Sequence, residues 1–306
     1  MQGKKSFFDL SPLQGLTRDT DVLAIETADG TRKVLASDLF SMLGGDNLYL
    51  PRSLANYEGK NLGEIYTPQE FKSKVESGDF SRLDLGDYFD ITLTTNEKMR
   101  YVISGFNTYL NFGDTAVLTA PHVIMTPVDC MATTKQMKAT NDNTGGYAGS
   151  LMPAYLETVL ATFPAEWKNI MRSIRRLENN KGTWAWASRT LFLLSETEVH
   201  GAQVWSDGYD GGTRPLPLYQ FSARYRIKGL GFGSSAKGSR ANWWLASPNA
   251  ANTTNFCNVN NNGNSNNNGA SNSNGVAPGF CVSVRHKLSR HTILTEGEIV
   301  LPLSGK

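Results

Sequence analysis

The sequence predicts an α+β fold, in which short strands and short helices follow one another without the strand-helix-strand alternation of a parallel sheet. Two observations carry this expectation. β-prone runs are bounded by turn dipeptides, and at least one helix has complete start and stop signals.

In chain order, Val22-Leu23-Ala24-Ile25-Glu26 and Arg32-Lys33-Val34-Leu35-Ala36 flank Asp29-Gly30, a two-residue hairpin signal. Ser37-Asp38 can cap a short helix over Leu39 to Leu43, which Gly44-Gly45 would end. Thr67-Pro68-Gln69-Glu70 supplies an N-cap hydroxyl, a first-turn proline and a third-position glutamate, and Gly78 stands beyond the far end, so a helix is expected over 67–77. Apolar density rises after Leu83, and Asp87 to Leu93 and Arg100 to Ser104 read as paired strands. A domain boundary is therefore expected near residue 80, giving a 1–80 module for attachment or oligomerisation, an 81–290 main domain and a 291–306 tail. Between Pro164 and Glu178, Trp167, Ile170, Met171, Ile174 and Leu177 recur at spacings of three and four, predicting an amphipathic helix with a solvated basic face. Thr190 to Ser195 reads as a buried strand, Glu196 to Gly201 as a helical turn, and Glu296 to Leu301 as a terminal strand.

Composition excludes several function classes. The 306 residues carry 30 Lys+Arg against 28 Asp+Glu, a formal charge of +2, and 19% charged residues against about 25% in typical domains. Without a basic block there is no electrostatic grip for a nucleic-acid backbone or an anionic membrane. No apolar run approaches the roughly 18 residues of a membrane helix, and the lysine-bearing start breaks its apolar stretch at Asp9, so a soluble chain without a signal peptide or membrane insertion is expected. Cys130, Cys257 and Cys281 lack C-x-x-C spacing. No structural zinc site is encoded, and free thiols are expected rather than a Cys257–Cys281 bridge.

Catalytic constellations are missing too. There is no G-x-S-x-G, H-E-x-x-H or G-x-x-x-x-G-K-[ST], and His122, His200, His286 and His291 are scattered. Gly229-Leu230-Gly231-Phe232-Gly233 lacks the spacing and the following helix of a dinucleotide loop, so it reads as a turn. Asp207 to Gly212 lacks the acidic periodicity of an EF-hand and reads as a loop. No catalytic residue, metal ligand or cofactor is expected.

Asparagine dominates what remains. Of 25 in the chain, 13 fall between Asn249 and Asn274, and the 44 residues 241–284 contain no Asp, Glu, Lys or Arg. The segment is bracketed by Trp243-Trp244-Leu245 and by Val276 to Val282, and it contains Phe256, Val259 and three turn dipeptides, Asn262-Gly263, Asn268-Gly269 and Asn274-Gly275. The turns are about six residues apart, which suits short strands or compact loops, and with buried ends they predict ordered, solvent-facing loops rather than a disordered tract.

Asn242-Trp243-Trp244-Leu245-Ala246-Ser247-Pro248, the Asn/Ser/Gly stretch and Gly275-Val276-Ala277-Pro278-Gly279-Phe280 together resemble the C-terminal signature of C-type-lectin-fold variable proteins diversified by retroelements. Phe192-Leu193-Leu194-Ser195-Glu196-Thr197-Glu198 matches an upstream motif of the same group. The resemblance spans about residues 83–288, and a weaker one, over about residues 16–45, is to a small N-terminal element of phage tail and head-fibre proteins. It implies a C-type-lectin-like domain in a phage virion, assembled in the host cytoplasm, that binds a host cell-surface receptor of protein or glycan. Other virion proteins would hold its N-terminal module, and a homo-oligomer such as a trimer would display it. Adenine-directed copying errors would make AAC codons the variable positions. Changing their first two bases reaches Ser, Thr, Gly, Ala, Val, Phe, Cys and Pro, which with Asn account for every residue from Pro248 to Cys281.

On this reading Trp243, Trp244, Val276 and Phe280 are scaffold. Asn252, Thr254, Asn255, Asn258, Asn260, Asn262, Asn264, Asn266, Asn268, Asn272 and Asn274 are the exposed, ligand-facing positions. The chain departs from the family pattern at Ala246 and Ala277, where arginine is common. Two other readings remain open. One is a formylglycine-generating-type enzyme, which would need Cys257 and Cys281 to meet; the other is a structural head or tail decoration without a ligand.

Overall fold

The computed structural model describes residues 22–27, 30–35, 59–115, 117–207 and 214–283. Strands β1 (Val22–Thr27) and β2 (Gly30–Leu35) form an antiparallel hairpin in which Thr27 lies opposite Gly30. Gly30, expected as the second residue of the turn, therefore belongs to a strand. The helix expected over Leu39 to Leu43 and the terminal strand after residue 283 lie outside the described residues.

From residue 59 the elements follow in the order α1 (Pro68–Glu76), β3 (Tyr88–Thr92), β4 (Lys98–Phe106), β5 (His122–Pro127), α2 (Met152–Ala161) and α3 (Ala165–Ile170). Next come β6 (Met171–Arg172), β7 (Ile174–Asn179), β8 (Trp184–Arg189), β9 (Leu191–Phe192), α4 (Glu196–His200) and α5 (Pro217–Phe221). The chain then forms β10 (Trp243–Pro248), β11 (Asn255–Val259), β12 (Ser265–Gly269) and β13 (Gly279–Ser283). Mixed structure with short helices and antiparallel sheets is the α+β class.

The main sheet runs β3-β4-β5-β13-β6, with β9 also paired to β13, and all these pairings are antiparallel. Its pleat sorts side chains onto two faces. Tyr101, Ile103, Val123, Met125, Phe280 and Val282 join Phe71, Val75, Leu156, Val159 and Trp167 from the helices in one core. Val102, Ile124 and Cys281 face a second core with Leu216, Leu218, Tyr219 and Trp243. Phe280 sits within 4.9, 6.0 and 6.1 Å of the ring centroids of Tyr101, Phe163 and Trp167. Such pairs each add about 0.5–1.5 kcal/mol beyond area burial.

Helix α1 begins at the expected capping box, with Thr67 accepting from the Glu70 amide and Glu70 accepting from the Thr67 amide. Its buried Phe71 and Val75 belong to the same core as Phe280, so packing is continuous across residue 80.

The helix expected from Pro164 to Glu178 is a correction. Helix α3 ends at Ile170 and the chain turns into β6 and then β7. In β7 the inward positions are Ile174, Arg176 and Glu178, a period of two. Arg176 forms a two-pronged ion pair with Glu198 at 2.7 and 2.8 Å, both side chains almost wholly buried. Glu178 takes Arg189 at 2.7 and 2.9 Å, and Arg175 takes Asp114 at 2.6 and 2.7 Å. The basic face is thus not a solvated one: paired charges fill inward positions that a hydrophobic pattern leaves blank.

Candidate ligand-binding surface

The asparagine-rich segment is a three-stranded antiparallel sheet, β10-β11-β12, rather than a set of loops. Trp243 and Trp244 point to opposite sides of β10, one into each core, and both are fully buried. Each indole N–H donates to a carbonyl, Trp243 to Arg226 at 2.8 Å and Trp244 to Lys135 at 2.7 Å. Trp243 lies opposite Val259 and Trp244 opposite Asn258, so the aromatic pair fixes the register of β11.

Of the three turn dipeptides only Asn262-Gly263 is a turn, with Gly263 at φ +84°. Gly269 and Gly275 serve close approach instead. A Cβ on Gly269 would stand 2.5 Å from Asn141 Oδ1, and one on Gly275 would stand 2.6 Å from Cys130 Sγ.

The candidate positions divide by burial. Asn252, Asn262, Asn264 and Asn272 are exposed, whereas Thr254, Asn255, Asn260, Asn266 and Asn268 are half-buried. Asn258 (0% exposed) and Asn274 (6%) are corrections, since both are buried. Asn258 sits mid-strand between Trp244 and Asn266, on the side of the sheet that carries Phe256, and the pleat turns it inward. Asn274 exchanges backbone hydrogen bonds with Lys135, which draws it under the sheet edge.

Several of these side chains shape the surface from within. Asn260 Oδ1 accepts from the amides of Asn262 (2.9 Å) and Asn264 (3.0 Å), and Asn252 Oδ1 accepts from the amide of Thr254 (2.7 Å). Asn255 donates to Asn267 Oδ1 at 2.6 Å, and Asn268 lies between Asn272 and Asn274 at 3.3 and 3.4 Å.

Residues outside the segment hold it in place. The Asn143 amide nitrogen lies 3.2, 2.7 and 2.8 Å from the carbonyls of Asn249, Asn252 and Asn255. Lys181 donates to the Asn249 and Ala250 carbonyls, and Asn242 Oδ1 accepts from the Asn261 amide at 2.9 Å. Glu196 is the strongest tie. Its carboxylate accepts from the amides of Val204, Trp205 and Ser206 and from the hydroxyls of Ser206 and Ser265. Burial pulls its pKa upward, but the hydrogen bonds from Ser265, Ser206 and Trp205 outweigh burial and hold it below the ordinary carboxylate value. The Phe192-to-Glu198 motif thus contacts the asparagine-rich segment and its flanks: Phe192 pairs with Gly279, and the Glu196 amide donates to Ser247.

Sequence reasoning missed Asn143, Lys181, Val204 and Trp205. Val204 is 59% and Trp205 41% exposed, and the Trp205 carbonyl accepts from the Ala250 amide at 2.8 Å. They are exposed apolar side chains beside a segment whose exposed groups are mostly amides. Only tryptophan's general preference for interfaces pointed to Trp205.

All three cysteines are buried and free, and burial pushes the Cys130 and Cys281 thiols up to about 12. Burial and the neighbouring Glu196 push Cys257 well above its ordinary value. The Gly229-to-Gly233 turn spends its amides on a protein carboxylate, since Asp129 accepts from Gly229 (2.8 Å), Gly233 (3.0 Å) and Ser235 (3.1 Å). Ala277 is buried in the second core and has no room for arginine, while Ala246 is half-buried. Among the described residues no group of three His, Cys, Asp or Glu could hold a metal ion, and no helix is long and apolar enough to cross a membrane. Gly208 to Gly212 lie outside the described residues.

A family model, Domain of unknown function (DUF6273), matches residues 114–284, more than half of the 306 residues. No curated protein and no solved structure matches the chain.

Proposed function

The chain belongs to the DUF6273 family, and from that premise we propose that it is a binding module, not an enzyme: a phage virion protein of C-type-lectin fold that presents a diversifiable receptor-binding surface. One observation carries the reading. The segment richest in asparagine is folded onto fixed anchors, namely Trp243, Trp244, Asn143 and Glu196, while Asn252, Asn262, Asn264 and Asn272 extend into solvent without a role in either core. A surface that must accept arbitrary side chains needs this division between stability and contact. Val204 and Trp205 at its border supply area that short amides cannot.

The enzyme alternative draws no support from the cysteines. Cys257 pairs with Asn267 in the small sheet and Cys281 with Ile124 and Arg172 in the main one, and neither thiol has the low pKa of a nucleophile. On the proposed reading the receptor is a host cell-surface protein or glycan, and multivalent display in an oligomer compensates for weak single sites. The deciding experiment exchanges residues 250–274 for a version with Tyr, Arg and Asp at the four exposed asparagines, then measures adsorption of particles to a panel of hosts. A changed host range supports an adhesin. Unchanged adsorption with particles correctly assembled would favour a ligand-free decoration.

A further inference from the structure

A second concave site lies beside the asparagine turn, and its chemistry differs from that of the amide surface. Arg100, Arg224, Arg240, Tyr88, Tyr225 and Ile227 line a cleft of about 500 Å³, within the range of small-ligand sites. No Asp or Glu stands among the described lining residues. Arg100 is shared with Asp90 at 2.7 and 2.9 Å, and Lys98 reaches the same carboxylate at 3.3 Å. Arg224 and Arg240 are exposed and have no carboxylate partner among the described residues.

Two of the guanidinium groups are preoriented. The Arg100 guanidinium stacks 3.7 Å from the Tyr88 ring centroid. That of Arg224 lies 4.9 Å from the Tyr225 ring and donates to the Tyr225 hydroxyl at 3.2 Å. Of the three arginines Asp90 neutralises Arg100 alone, so Arg224 and Arg240 repel one another, and stacking on tyrosine lowers the entropy cost of holding Arg100 and Arg224 ready. Such a fork suits a planar carboxylate or a phosphate.

The cleft continues into the candidate surface. A Cβ at Gly263 would stand 3.0 Å from Ile227 Cγ1 and 3.3 Å from Arg226 Cβ, so the 260–264 turn packs on the segment that forms one wall. The backbone amides of Asn261, Asn262, Gly263 and Asn264 are bonded within the protein, so the exposed side-chain amides of Asn262 and Asn264 are the groups that would meet hydroxyls beside the cationic end. We infer that this cleft binds an acidic sugar, a saccharide unit bearing a carboxylate or a phosphate, with Arg224 and Arg240 as the anion-binding residues. The inference goes beyond the receptor reading and holds or fails independently of any virion.

Calorimetric titration of the full chain at low salt with glucuronate, glucose 6-phosphate, glucose and inorganic phosphate tests it. At least one sugar acid is expected to bind, with glucose weaker by about tenfold or more and with affinity falling as salt rises. Glucuronate alone would assign the carboxylate source, and glucose 6-phosphate alone the phosphate source. Arg224→Ala and Arg240→Ala each are expected to weaken binding about tenfold. Lys72→Ala, which removes a cation paired with Glu76 on α1, leaves it unchanged. The inference is overturned if neither acid binds, if glucose binds as well, if inorganic phosphate binds as tightly as the best sugar acid, or if the arginine variants retain full affinity while folded.

Discussion

Asn258 and Asn262 are four positions apart and sit in opposite environments. Asn258 is fully buried in the middle strand of the small sheet, and Asn262 is exposed at the hairpin tip, where its backbone amide is held by Asn260. Isosteric replacement by aspartate exposes the difference, because only the charge changes. Asn262→Asp is expected to alter stability by no more than about 0.5 kcal/mol, as for an exposed position without structural duties. Asn258→Asp would place a fully buried carboxylate between Trp244 and Asn266, where the asparagine side chain has no hydrogen-bond partner, at an expected cost of about 3 kcal/mol or more. Urea denaturation of both variants measures the contrast, and equal losses would contradict the burial difference. On the proposed reading, charge acquired by diversification is expected to be tolerated at Asn252, Asn262, Asn264 and Asn272 but not at Asn258.

At the scale of elements, the bend from Asn249 to Asn255 owes its shape to a residue more than a hundred positions away. The two hydrogens of the Asn143 amide are shared among three carbonyls, and its own amide nitrogen donates to the Thr253 carbonyl at 2.8 Å. Asn143→Ala keeps the backbone bond but orphans the carbonyls, and a loss of about 1–3 kcal/mol is expected. Hydrogen exchange should rise in 249–255 while β13 stays protected; uniform loss across the chain would mean that Asn143 supports the whole core instead. The sequence carries unequal traces of such elements. The Thr67 capping box and the β3-β4 pair were legible because their signals are local. The tryptophan anchors were legible as well, since paired indoles have few places other than a core. Helix α3 was overextended because the spacing of Trp167 to Leu177 suits a helix, and only the distant Glu198 and Arg189 make Arg176 and Glu178 acceptable inward residues of a strand. Gly269 and Gly275 misled for a related reason: a dipeptide reveals tolerance for positive φ, not whether Asn141 or Cys130 leaves room for a Cβ. Asn143 and Lys181 gave no signal at all, since their role depends on carbonyls brought near by the fold.

For the molecule as a whole, a buried histidine and a half-buried one set how stability depends on pH. His122 is fully buried in β5; its Nδ1–H donates to the Ala120 carbonyl at 3.1 Å and its Nε2 accepts from the Tyr109 amide at 2.9 Å, so the neutral ring is satisfied at both ends. Burial, with Arg172 nearby, lowers its pKa to about 4 against the pull of the Ala120 carbonyl. His200, at the end of α4, is also lowered to about 4 by burial and Arg226, against the opposing charge of Glu196. In the unfolded chain both titrate near 6.5. Between those values the unfolded state binds more protons than the folded one, so stability is full above about pH 6.5 and declines as pH falls toward 4. Asp90, Asp114, Asp142 and Glu196, all held below their ordinary values, act in a separate window, because their contribution is lost only as pH drops below the normal carboxylate range. The interval from pH 6.5 to 4.5 therefore reports on the histidines. The denaturation free energy at pH 5 is expected to lie below that at pH 7.5 by up to about 2 kcal/mol for each histidine. Glutamine at both positions removes the titration, and in His122→Gln the side-chain carbonyl can still accept from the Tyr109 amide. A flat wild-type profile, or an unchanged slope in the His122→Gln, His200→Gln double variant, would show that these rings do not carry the pH dependence. A receptor-binding surface mounted on this core would lose its support in mild acid before any of its own groups titrate, since 241–284 contains no ionisable Asp, Glu, Lys or Arg.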